Sequence, residues 1–129
     1  MLSDGFTRLD NQVITSIRDI CQYTYEKCKP HFINTRTALD VGCKAGNFAK
    51  HIQKDFDTVH MFDMRPKVKW RNIDRRKCKM HQCALGDYNG TISFNGAITN
   101  QAGETTELKT IDSFNFIDVD FIKIDVEGD

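Results

Sequence analysis

Proline, net charge and long apolar runs are what this sequence has least of. Two prolines, Pro30 and Pro66, occur in 129 residues, and no low-complexity segment, internal repeat or linker interrupts the chain. Lysine plus arginine equals aspartate plus glutamate, at 18 each, so the chain as a whole offers no electrostatic case for a nucleic-acid or membrane partner. No stretch approaches the ~20 apolar residues of a membrane span. Met1 to Thr7 lacks the basic-then-apolar layout of a secretion signal, and a cytoplasmic location is expected. The five cysteines are odd in number and irregular in spacing, which argues against a secreted disulfide framework and for free thiols. Cys78, His81 and Cys83 lie close together but lack a second ligand pair at zinc-site spacing, so no metal is expected.

What is present suits one globular domain. The length fits a single domain, and 40% hydrophobic with 28% charged residues excludes a disordered chain. The charges are nevertheless unevenly placed. Arg65 to Lys79 holds eight basic residues against Asp74, and Glu104 to Asp129 holds eight acids against Lys109 and Lys123. Such asymmetry marks either a solvated face or a binding face. An RNA-binding reading, with Trp70 as a stacking platform in the basic 65–79 segment, stays open on this ground.

Residues 1–36 read as an N-terminal helical segment and residues 37–129 as an α/β core. From Asp10 to Cys28, Leu9, Val13, Ile17, Cys21, Tyr25 and Cys28 recur at steps of three and four, with Ile20 beside them, which predicts a helix that Pro30 stops. Short apolar runs predict strands over 37–42, 58–62, 79–85 and 119–126, the last central and buried, with a further short strand over 91–94. Leu108 to Phe114 is ambiguous. Gly46 to Lys54 predicts a helix through Phe48 and Ile52, and Pro66 suits the start of a short one. This alternation is that of a doubly wound, mostly parallel sheet.

Four segments carry chemistry. Asp40-Val41-Gly42-Cys43-Lys44-Ala45-Gly46 joins a predicted strand to a predicted helix, where a glycine lets the backbone approach a ligand. Two glycines four apart are not the G-x-G-x-x-G of dinucleotide folds, which disfavours a nicotinamide cofactor. Asp63 ends the next strand, where an acid can accept hydrogen bonds from both hydroxyls of a ribose; a turn aspartate is the bland alternative. Ala84 and Leu85, before Gly86-Asp87, could line an adenine slot or simply run into a turn. Asp125 and Glu127 end the last strand, where charges are rarely held without a partner or a task.

In this order the segments resemble the FkbM family of methyltransferases, whose pattern reads roughly D-V-G-A-N-x-G, F-E-P-x-P, A-L-G-D-x-x-G, T-L-D-S and K-I-D-V-E-G-x-E. The counterparts are Asp40 to Gly46, Phe62 to Pro66, Ala84 to Gly90, Thr110 to Ser113 and Lys123 to Gly128. Cys43 and Lys44 stand where the family has Ala-Asn, Asp63 where it has Glu, and Met64 where it has the first proline. The resemblance implies a Rossmann-like domain that is C-terminally truncated, incomplete after its fourth core strand. It also implies S-adenosyl-L-methionine as cofactor, held by Asp40, Gly42, Gly46, Asp63, Ala84 and Leu85. The implied reaction is O-methylation of a sugar or small-metabolite hydroxyl, with Asp125 and then Glu127 as the carboxylate that takes the proton. An RNA-methylating or RNA-binding module and a non-catalytic cofactor-binding fragment are the alternatives.

Overall fold

Thr37–Val41 (β1) is the strand around which the others are arranged. In the computed structural model, which describes residues 20–65, 70, 72–94, 98–99 and 104–126, β1 lies between β2 (Thr58–Phe62) and the last strand, β8 (Val119–Ile124). With β3 (Cys78–His81) outside β2, the order is β3-β2-β1-β8, and all three pairings are parallel. A strand covered on both faces reads as a continuous apolar run, and Ala38, Leu39, Asp40 and Val41 are all buried. The chain first moves outward from β1 to β2 and β3, then returns to the other side of β1 to add β8.

One face is covered by α1 (Ile20–Cys28) and α2 (Ala49–Ile52). Tyr25 and Cys21 of α1 turn inward as the helical stripe requires, whereas Ile20 is exposed; the part of the expected helix before Ile20 lies outside the described residues. Pro30 falls in a 3-10 turn, Lys29–His31, directly after the helix. Tyr25, Phe32, Phe48, Phe56 and Phe121 pack there with ring centroids 5.0–6.4 Å apart. Edge-on and tilted contacts of this kind contribute about 0.5–1.5 kcal/mol each beyond their burial. α2 is shorter than the helix expected over 46–54. Gly46, at φ +89°, has a left-handed backbone that no α-helix accommodates, so the helix starts beyond it, with Phe48 at its N-terminal cap.

The opposite face is covered by Phe114 and Phe116, which belong to and follow a 3-10 turn, Ile111–Phe114, nucleated by the Thr110 hydroxyl accepting the Ser113 N–H. Beneath these rings His60 and His81, from β2 and β3, join Nδ1 to Nε2 at 2.9 Å.

Three expectations are corrected. The third strand does not run over 79–85: the chain bends after His81, where Cys83 N–H bonds the His81 carbonyl at 3.1 Å, and Ala84–Leu85 (β4) leaves for a second sheet. That sheet has the order β4-β7-β5-β6, with β5 Gly90–Phe94, β6 Ile98–Thr99 and β7 Glu104–Lys109. It is mixed, since β7 pairs β4 in parallel and β5 antiparallel. Finally, β8 is not central. It is an edge strand among the described residues, and Ile122, Ile124 and Val126 stand 45%, 65% and 55% exposed. The short helix expected after Pro66 lies outside the described residues. No helix among them is long and apolar enough to cross a membrane.

The His60–His81 pair makes stability depend on pH. Burial, then the neighbouring His81 and Lys79, push His60 down to about 4, and burial and Lys109 push His81 down as well. A group with a depressed folded pKa stabilises in its neutral form above its unfolded pKa of about 6.5 and loses that stabilisation as pH falls toward 4. Because the pair is half-exposed, solvent screening reduces the effect to on the order of 1 kcal/mol. Urea denaturation from pH 7 to pH 4 should show this loss in the wild type and a smaller one in His60→Phe. Equal slopes in the two proteins would exclude His60 as its source.

Candidate functional site

Register brings three chain ends together. Val41 is the partner of Phe62 on one side and of Ile124 on the other, so the next residues, Gly42, Asp63 and Asp125, emerge side by side at the carboxyl end of the sheet. Gly42 N–H and Cys43 N–H both bond the Phe62 carbonyl, at 2.8 and 3.0 Å, and Asp125 N–H bonds the Val41 carbonyl at 3.0 Å.

The glycines of this turn answer first to internal packing. Gly42 has φ +80°, and a Cβ on it would lie 2.1 Å from the Asp125 carbonyl oxygen. At Gly46 a Cβ would lie 2.7 Å from the Ile73 side chain. The close neighbour of Gly42 is thus the residue that follows β8.

Asp63 organises the same turn from β2. It is buried, and its Oδ2 accepts the Lys44 N–H at 2.9 Å while Oδ1 accepts the Arg65 N–H at 3.0 Å. The first bond helps hold Lys44 at φ 50°, a conformation that costs a non-glycine residue about 1–2 kcal/mol. A carboxylate has about four acceptor sites, so two backbone donors leave it capacity for further donors.

Asp40 is fully buried on the central strand. Lys123 Nζ lies 3.0 Å from its Oδ1 and donates to the Gly42 carbonyl at 3.2 Å. The ammonium meets Asp40 as a buried charge pair, and that contact offsets the burial of the carboxylate. Burial pushes the Asp40 pKa up and Lys123 pulls it back down. Burial, with Asp40 and Asp63 nearby, raises the Cys43 thiol well above its ordinary range, which keeps it protonated and a poor nucleophile. The sequence marks Lys123 and Cys43 only as members of matched segments; the alternation of β8, which sets Lys123 on the Phe121 face, is the signal for its inward position.

The other expected residues are placed differently. Asp125 is exposed at the mouth of the site, and Glu127 lies outside the described residues. Ala84 and Leu85 pair with Leu108 and Lys109 in the second sheet, and Leu85 packs into the core beside Phe62 and Cys83. Cys78 belongs to the helix-covered face and Cys83 to the opposite one. No group of three or more His, Cys, Asp or Glu side chains among the described residues is arranged to hold a metal.

In the basic 65–79 segment Arg75, Arg76 and Lys79 are exposed, and several of its cations have local partners. Arg76 pairs with Asp74, Lys77 Nζ donates to the Gln53 carbonyl, and the Arg75 guanidinium covers Trp70 at 4.4 Å from the ring centre. Trp70 itself is partly buried against the core.

Gly42→Ala should destabilise the chain by at least about 3 kcal/mol, since a left-handed alanine costs about 1–2 kcal/mol before any displacement of a backbone carbonyl. Gly46→Ala meets only a side chain able to shift, and should cost about 1–2 kcal/mol. Equal losses in denaturant titrations would show that the Asp125 carbonyl is not what excludes a Cβ.

Comparison with protein-family models, with curated proteins and with solved structures finds no match to this chain.

Proposed function

We propose that this chain binds S-adenosylmethionine at the carboxyl ends of β2, β1 and β8 and is the cofactor-binding part of a methyltransferase acting on hydroxyl groups of sugars or small metabolites. The observation that carries the reading is the reversal of strand order at β1. In open α/β sheets, ligands bind outside the carboxyl ends of the strands at such a switch point. Here that point brings together the Gly42 turn, Asp63 and Asp125.

The residues present fit such a ligand. Asp63 has acceptor capacity for ribose hydroxyls beyond the two backbone donors it already takes. Leu85 is turned into the core, which leaves an adenine edge to Ala84 and the backbone of its turn. The two-glycine turn speaks against a nicotinamide dinucleotide.

Bound S-adenosylmethionine supplies a sulfonium-activated methyl group. The chain's task is then to align an acceptor oxygen and to remove its proton. Asp125, exposed beside Gly42, is the described carboxylate best placed to accept that proton, with Glu127 next along the chain.

Calorimetric titration with S-adenosylhomocysteine and with NAD tests the cofactor. The homocysteine compound should bind, and Asp63→Asn should weaken it roughly ten- to a hundredfold, the equivalent of losing charge-assisted hydrogen bonds of ~1.5–3 kcal/mol. Equal affinity in Asp63→Asn would remove the ribose role, and tight NAD binding without a response to S-adenosylhomocysteine would overturn the reading. With a radiolabelled methyl donor and a panel of hydroxylated acceptors, Asp125→Asn should lower turnover by about two orders of magnitude while leaving S-adenosylhomocysteine affinity nearly unchanged. Undiminished turnover would clear Asp125 of the proton role.

A further inference from the structure

We propose that Lys123 is a positioning residue of the cofactor turn: reaching from β8 to the Asp40 carboxylate and the Gly42 carbonyl, it clamps the turn in the shape that receives the ligand. The inference rests on the methyltransferase reading for what the turn binds, but not for what holds the turn.

Three observations support it. Lys123 spans 81 positions of sequence to donate to the Gly42 carbonyl at 3.2 Å, and the same Nζ lies 3.0 Å from Asp40 Oδ1. It thus holds the residue before Val41 and the residue after it, one by charge and one by a hydrogen bond. Second, the side chain is only 14% exposed and its ammonium lies 5.5 Å from the centre of the Phe48 ring, so its aliphatic part runs over the core while the head is confined to the turn. A lysine serving solubility alone would reach for water. Third, Gly42 needs such a hold. Its φ is +80°, and its carbonyl marks the point where the backbone leaves the β1 ladder. The N–H groups beyond that carbonyl are fixed by the Phe62 carbonyl and by Asp63, both from the β2 side. Lys123 supplies a side-chain restraint from the β8 side, so that the turn is gripped from both neighbouring strands. Binding gains when a site need not be ordered by its ligand, which is why a clamp remote from the reacting atoms affects affinity.

The test separates Lys123 from the charge of Asp40. Asp40→Asn is compared with the double substitution Asp40→Asn/Lys123→Met; neither leaves an unpaired buried carboxylate, and they differ only at position 123. Amide hydrogen exchange of residues 42–46 is measured beside that of β2. Adding Lys123→Met should speed exchange in the turn at least tenfold with little change in β2, and should lower S-adenosylhomocysteine affinity at least fivefold further. Equal turn exchange in the two proteins overturns the clamp, whatever is found about binding. Faster turn exchange in proteins that, like the wild type, bind no S-adenosylhomocysteine upholds the clamp and overturns the methyltransferase reading instead. Should the double variant not fold, Lys123→Arg is compared with wild type: the broader guanidinium keeps the charge but not the single-atom bridge. At least threefold faster turn exchange is then expected, and unchanged exchange overturns the proposal.

Discussion

A carboxylate buried on the central strand is the constraint from which the arrangement of this sheet follows. Asp40 and Lys123 are register partners on β1 and β8, and their charges meet at 3.0 Å inside the fold. An unpaired charge in that position would cost several kcal/mol, and breaking a buried pair by removing one partner typically costs about 3–5 kcal/mol. A one-residue slip of β8 would turn Lys123 to the other face and bring Ile122 or Ile124 toward the carboxylate, so the pair sets register as well as proximity. Once the register is set, Ile124 faces Val41, Asp125 follows Gly42, and a side chain on Gly42 has no room.

The two faces of the sheet then differ in kind. On the helix side the inward residues of β1, β2 and β8 meet an aromatic cluster, into which Phe121 brings the edge strand. On the other side β2 and β3 present an imidazole pair beneath two stacked phenylalanines, while Ile122 and Ile124 of β8 stand exposed. Neutral imidazoles suit that place, since one donates to the other and neither carries charge into a poorly solvated layer. The stabilisation is therefore conditional on pH where the aromatic side's is not.

Much of the main sheet was legible from sequence because its signals are local. β1, β2 and β8 are short apolar runs with a glycine or an acid at the end, and the strand bounds 58–62 agree with those observed. The break after His81 was not legible. Lys79 to Leu85 reads as one strand with no turn residue inside it, and what diverts it is pairing with Leu108 and Lys109, some two dozen positions away. The edge position of β8 was hidden for the same kind of reason: apolar content measures how a strand suits burial, not whether a neighbour lies on both sides. In the site, Gly42, Asp63 and Asp125 were visible as types at strand ends. The Asp40–Lys123 contact was not, because no local pattern joins residues so far apart.

The glycine turn shows why a motif and its cause are separate matters. A glycine after β1 reads from sequence as room for a ligand, yet at Gly42 the space is taken by a carbonyl of the chain itself. A turn so constrained presents a fixed backbone outline, which is what a binding site needs even when the glycine never touches the bound molecule. Selectivity then lies with groups that retain unused hydrogen-bonding capacity. Asp63 has spent two acceptor positions on the turn and has others left, with Arg65 beside it; Asp40 is matched by Lys123; Asp125 is open to solvent. Three carboxylates stand at the ends of or within three adjacent strands, with Lys123 against Asp40 and the Arg65 guanidinium 3.8 Å from Asp63. The two inner carboxylates are thus each met by a cation, and Asp125 is the one of the three left to solvent.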